Sequence, residues 1–188
     1  MKMSNLAGMP FSPNEAWREL ATKVDGQVAK IFLSLVVPLS LLPPAMIYLA
    51  GNHYGDTFID GLSGKSWARI AVLFFVGEMA SVLLMGWLIK QVAASWNGNI
   101  SYRNAYLLAA IAPVPLWFSS LGLLVPSIAV NAVVSFAALC LSCGLVYQGV
   151  RSMSGVSEDI EAGVVTQVVF GAGLMVWGLL LSMVMLPL

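Results

Sequence analysis

Few side chains in this sequence are of types that do chemistry, and their spacing restricts what they could do. Glu78 stands alone inside a long apolar run, Trp67 to Ala93. It lies eleven residues into that run, about 16 Å at 1.5 Å per residue, which is close to the middle of a bilayer. A carboxyl group at that depth is costly, and ionisable residues inside spanning helices mark candidate functional sites. No basic residue lies at the same depth to pair with it. Two readings stay open: a neutral carboxylic acid that joins helices through a hydrogen bond, or a group that handles protons or ions.

Prolines supply the acid with possible partners. A proline cannot donate a backbone hydrogen bond, so Pro38 frees the carbonyl of Ser34, and Pro113 and Pro115 free those of Ala109 and Ile111. By the same rise per residue, Pro38, Pro113 and Glu78 fall near one depth. Glu78, Pro38, Pro113 and Pro115 therefore form a candidate midplane polar site, with Glu78 expected to donate to one of the freed carbonyls. Broken helices at mid-bilayer are how transporters build binding sites. Ordinary kinks whose carbonyls are satisfied locally account for the same prolines.

The remaining candidates are weaker. Cys140 and Cys143 are spaced Cys-x-x-Cys inside an apolar run, half of a structural zinc site, and no histidine is near them. Packing is the expected role. Asn131, Ser135, Ala138 and Ser142 form a small and polar stripe, and Gly77 and Ser81 a small-xxx-small pair. Such faces let helix backbones approach closely, so a helix-packing role is expected, with a permeation stripe as the alternative. His53 stands alone in a polar stretch. No nucleophile–base pair, metal-ligand cluster or phosphate-cradling glycine loop is present. Intramembrane proteolysis would need paired aspartates or a serine–histidine pair within the apolar runs, and neither occurs. No catalytic, cofactor-binding or metal-binding residue is expected, and no cofactor.

Composition fixes what must position these residues. The chain has 188 residues, of which 59% are hydrophobic and 10% charged. Soluble domains carry about 25% charged residues, so this chain could not cover a water-facing surface. A spanning helix takes about 20 apolar residues, and the sequence divides into five such runs. They are Val28–Ala50, Trp67–Ala93, Asn104–Leu124, Ser127–Val150 and Ala162–Leu186. The expected fold is an all-α integral membrane protein, with residues 1–27 as an N-terminal interfacial segment and residues 28–188 as a five-helix transmembrane domain. The first run is too long for a signal-peptide core of about 7–15 residues and is expected to remain as a helix.

The N-terminal segment carries a capping-box pattern, Ser12-Pro13-Asn14-Glu15. Trp17, Leu20, Ala21, Val24 and Val28 then share one helical face. This predicts either a short amphipathic helix on the membrane surface, with Trp17 at the headgroups, or an extension of the first spanning helix. Gly51 to Ser66 is polar and glycine-rich and predicts a loop. Glu158, Asp159 and Glu161 precede the fifth run, where negative charge suits a helix N-terminus.

Lysine and arginine counts give an orientation. Lys2, Arg18, Lys23, Lys30, Lys90, Arg103 and Arg151, seven in all, fall on the side of the N-terminus, against two, Lys65 and Arg69, on the other. The N-terminus is thus expected in the cytoplasm and the C-terminus outside. Tyr48, Tyr54 and Trp67 would mark the outer interface, and Trp96, Tyr102, Tyr106 and Tyr147 the inner one. Zero net charge gives no case for nucleic acid. Membrane lipids are the expected partners, with other membrane proteins or a second copy of the chain as further ones.

Several short motifs cluster in the second half. They are Tyr102-Arg-Asn-Ala-Tyr106, Ala112-Pro113-Val-Pro115-Leu, Leu-Val-Pro126 and Leu-Val-Tyr147-Gln-Gly149-Val, followed by a polar loop with Glu158. This pattern resembles the bacterial branch of the Yip family, multi-pass membrane proteins named for eukaryotic members that interact with Rab-type GTPases. The resemblance runs from about Asn99 to the C-terminus, with a looser match over Ser12 to Trp17. It implies five membrane helices, a cytoplasmic N-terminus and a place in the bacterial cytoplasmic membrane. It implies no established activity for bacterial members. The eukaryotic members carry a longer cytosolic N-terminal region for partner binding, which this sequence lacks, and that speaks against a GTPase partner. A non-enzymatic role in membrane organisation or partner-binding scaffolding is expected. The alternative is a small transporter or channel with its site at Glu78 and the proline-broken helices.

Overall fold

A computed structural model describes residues 17, 20, 28–58, 60–156 and 158–185. Five helical spans are long and apolar enough to cross a membrane: Phe32–Thr57, Trp67–Ser95, Tyr102–Leu124, Ile128–Met153 and Asp159–Val184. No strand occurs among the described residues. The capping-box residues, Ala21 and Val24 lie outside the described residues. Trp17 and Leu20 are helical and buried, and both belong to the main core. The Trp17 indole thus packs into protein.

The second span is the axis of the bundle. It packs on the first, third and fifth spans. Its buried residues are Trp67, Ile70, Phe74, Glu78, Val82, Gly86, Ile89 and Ala93, a stripe that repeats every three or four residues. Glu78 occupies a core position of that stripe. Gly86 lets the third span come close, since a methyl group there would lie 3.2 Å from the Tyr106 Cα. The fourth span packs on the third and fifth. It is the least buried of the five, so much of its surface is left to lipid.

Prolines break the first and third spans, in both cases at helix starts. The first contains a π-helical stretch, Phe32–Val36, in which the Val37 N–H reaches back to the Phe32 carbonyl. Pro38 follows in the first turn of the short helix Val37–Ser40. The extra residue of a π turn absorbs the misfit that a proline ring creates with the preceding turn. Pro43 and Pro44 open the next helix, Leu42–Phe58, where a missing N–H costs nothing. The third span runs as a helix over Tyr102–Ile111, restarts over Val114–Ser119 and ends in a 3-10 segment, Ser120–Leu124. Ser101 caps its start by accepting from the Asn104 N–H at 3.2 Å.

The loop expected from Gly51 begins later than the sequence predicts. The helix continues to Phe58, with a departure from helical geometry at Tyr54. Two polar side chains hold this extra stretch to its own helix. Asn52 Nδ2 donates to the Tyr48 carbonyl at 2.8 Å, and His53 Nδ1 meets the Leu49 carbonyl at 2.9 Å. Gly51 is not a turn residue. It is a point of close approach, where a methyl group would meet the Trp67 ring at 2.1 Å. That ring is buried, and its Nε1 donates to the Leu62 carbonyl at 3.0 Å.

Two expected interface aromatics are core residues instead, because Trp67 and Tyr106 are both buried within the protein. Tyr54 donates to the Leu123 carbonyl, joining the ends of the first and third spans. Tyr48, Trp96 and Tyr102 are exposed. Before the fifth span, Asp159 pairs with Arg151 at 2.9 Å. At the opposite end of the bundle, Lys65 Nζ donates to the Val184 carbonyl at 2.8 Å, where a cation suits the end of a helix.

Gly51→Ala should destabilise the protein by about 1–3 kcal/mol, because the Trp67 ring is held and the added methyl overpacks it. Gly144→Ala, where a new Cβ meets nothing within 4 Å, should cost nothing. Thermal unfolding in detergent compares them, and equal stability of the two variants would contradict the contact.

Candidate functional site

Glu78 is 7% exposed and faces the third span. Trp117 Nε1 donates to its Oε1 at 3.1 Å, and Trp117 itself is buried. The other carboxyl oxygen, Oε2, is buried with no hydrogen-bond partner. Among the described residues, no hydrogen bond joins Glu78 to a carbonyl, so the expected bond to a proline-freed carbonyl is not made. The reason lies in where the third span restarts. The Trp117 N–H bonds to the Pro113 carbonyl at 3.0 Å, which places the indole one turn past the break and level with the acid.

A cavity of about 270 Å³ lies beside this pair. It fills the space between the second and fourth spans and is flanked by the third and fifth. Its wall is mostly apolar, with Phe74, Phe170 and Trp177 among the aromatic residues. Glu78, Trp117 and Pro113 line it. Pro38 and Pro115 are not part of its lining. Both sit at the starts of short helices, Val37–Ser40 and Val114–Ser119. The candidate midplane group is thus divided, with Glu78 and Pro113 at the cavity and the other two prolines acting within their own spans.

The fourth-span stripe divides in the same way. Asn131, Ser135 and Ser142 line the cavity, whereas Ala138 is buried outside its lining. Asn131 is occupied with the preceding turn, where its Nδ2 donates to the carbonyls of Val125 at 3.0 Å and Ser127 at 2.8 Å. Ser142 is 3% exposed, and its Oγ has no hydrogen-bond partner. Other serines around the cavity bond back to carbonyls of their own spans: Ser81 to Glu78, Ser119 to Leu116 and Ser120 to Trp117, all within 2.6–2.7 Å. Of the small pair on the second span, Ser81 lines the cavity, while Gly77 receives Leu180 of the fifth span, whose Cδ2 would lie 2.5 Å from an added methyl group.

Cys140 and Cys143 are free thiols. No group of three metal-ligating side chains occurs among the described residues. His53 is tied to its own helix and stands apart from the cavity lining. Trp117 is the residue of the candidate site that sequence reasoning missed. Its signal was present: a tryptophan four residues past a proline break, on a span adjacent to an unpaired acid, with an N–H that must find an acceptor when buried.

These features define a multi-pass helical membrane protein with a cavity between its spans and, among its described residues, no constellation for covalent or metal chemistry. The chain belongs to the Yip1 domain family, which it matches over residues 7–180. It is 25% identical over 161 residues to the inner membrane protein YohC of Escherichia coli K12, covering 84% of this chain and 82% of that protein. The YohC of the Escherichia coli O6:H1 strain matches to the same extent. No solved structure matches it significantly. Five spans together with these relatives make it a multi-pass protein of the inner-membrane kind.

Trp117→Phe removes the one donor to Glu78 and should cost about 1 kcal/mol, within the range of hydrogen bonds measured between membrane helices. In a Glu78→Leu background the same change should cost little. Chemical unfolding of the parent, both single variants and the double variant gives the coupling. Strictly additive losses would show that the bond contributes nothing.

Proposed function

We propose that this chain is a non-enzymatic, membrane-embedded binding protein whose working site is the cavity at Glu78. It recognises, and in the transporter reading passes, a small molecule within the membrane. One observation carries this reading: a mostly apolar cavity between spans is lined by a buried acid, Glu78, and by serines of the second, third and fourth spans. The volume sits just below the range of about 300–1,000 Å³ typical of small-molecule sites.

The second reading is membrane organisation, with the chain as a scaffold for other membrane proteins or for a second copy of itself. What favours it is the fourth span, which leaves most of its surface to whatever lies beside it in the membrane. Family membership is compatible with both, since a fold hosts more than one function.

A brominated hydrocarbon that quenches tryptophan fluorescence separates the two, because Trp117 and Trp177 line the cavity. The binding reading expects a saturable component of quenching in the parent protein. Ser135→Phe, which fills the cavity from the fourth span, should abolish that component and leave the unfolding temperature unchanged. Quenching that rises linearly in both proteins would remove the binding reading and leave the scaffold.

We also propose that the N-terminus is cytoplasmic and the C-terminus outside, as the seven-to-two division of Lys and Arg indicates. In a protein with Cys140 and Cys143 replaced by alanine, Gly64→Cys should react with an impermeant maleimide from outside the cell. Glu158→Cys should react only after the membrane is opened. The reverse pattern would invert the topology.

A further inference from the structure

We propose that the cavity holds the acyl tail of a bilayer lipid, which enters from the membrane past the fifth span. The inference rests on the binding reading above and names its ligand. Glu78 Oε1 accepts from Trp117, and Oε2 has under 1 Å² of accessible surface, as has the Ser142 hydroxyl. Ser81, Ser119 and Ser120 donate to carbonyls of their own spans, and the Asn131 amide nitrogen is committed to the Val125 and Ser127 carbonyls. Of the polar side chains on the lining that leaves Ser135 and Trp177, and no lysine, arginine or histidine of the described residues joins them. A charged or strongly polar ligand would shed its water on entry and recover few hydrogen bonds.

Hydrocarbon loses nothing on the same path. The wall is mostly apolar, and an apolar cavity of about 150 Å³ already stays dry and takes benzene. At about 270 Å³ this one has room for a longer chain. Left empty it would weaken the bundle, since the cost of a void grows with its volume. The cavity is not sealed, and Leu174 and Leu181 of the fifth span line it and are also among the exposed apolar residues. Its wall therefore continues onto the apolar surface that the bilayer covers. Lipid tails are the most concentrated hydrocarbon at that surface, and occupancy follows concentration by mass action. A tail that enters from the side leaves its headgroup in the interface, so the wall needs no partner for the headgroup.

Nanodiscs of a phosphatidylcholine with bromine at mid-tail test this against nanodiscs of the same lipid without bromine, because bromine quenches a tryptophan that its tail touches. Trp87 and Trp96 are exposed, whereas Trp117 and Trp177 line the cavity. An occupied cavity raises the quenched indoles from two to four, so brominated tails should quench the parent protein roughly twice as strongly as a variant whose cavity is filled. Ser135→Phe fills it from the fourth span, and Gly173→Leu from the fifth, where a new Cβ lies 3.8 Å from the Met85 Cε. Gly178→Leu adds the same side chain outside the lining, where a new Cβ meets nothing within 4 Å, and should be quenched like the parent. Added decane should displace the tail and relieve part of the quenching in the parent to a plateau, a comparison that needs no variant to fold. Equal quenching of the parent and both filled variants, with no relief by decane, would overturn the tail. If a free brominated hydrocarbon still quenched the parent saturably, the cavity would stand as a site for another apolar molecule. Loss of that saturable component as well would overturn both.

Discussion

One hydrogen bond, from the Trp117 indole to the Glu78 carboxyl group, ties the unbroken second span to the broken third. Hydrocarbon offers no water to either group, so each must find its partner inside the protein. The acid sits in the stripe that the second span buries against its neighbours. A carboxyl group in such a position would loosen the bundle were it not met. The proline break in the third span is what allows the meeting, because the helix restarts at Val114 and its first full turn presents the indole. Past the break, Ser119 and Ser120 return their hydroxyls to the carbonyls of Leu116 and Trp117. Backbone defect, tryptophan and acid thus form one unit, and the cavity is the space beside it.

The five spans were legible because a bilayer demands a length and a composition that little else in a sequence imitates. Their ends were less so. Gly51 reads as the start of a loop, since glycine near polar residues usually is one, and its partner Trp67 lies sixteen residues on. Only packing reveals that the glycine makes room for an indole. Pro38 was legible as a disturbance but not as the π-helical stretch that absorbs it, because the remedy depends on how the next helix docks. Glu78 was visible as an anomaly of charge. Its partner was hidden because tryptophan is apolar enough to pass as part of any membrane run. The fourth-span stripe was visible as a pattern of small residues, and a packing face and a cavity wall share that pattern.

Membership of the Yip1 domain family accounts for the architecture and leaves the chemistry open. Span number and apolar periodicity are constraints that the membrane imposes on every member. A buried carboxyl group held by an indole is a property of particular side chains. The distinction matters for reading function: the cavity is lined by one acid, several serines and aromatic side chains, with no cation in that lining.

The fifth span carries a consequence for how the protein is made. Leu180 fits over Gly77, and Val184 receives Lys65 from the first loop, so the last span closes against the second. Val169, Phe170, Gly173 and Trp177 then form one wall of the cavity. Chains are synthesised from the N-terminus, and earlier elements wait for later ones. In the growing chain the third span can bring Trp117 to the acid before the fifth span adds its wall of the cavity. A nascent chain arrested before the fifth span would hold the acid and its tryptophan but lack that wall.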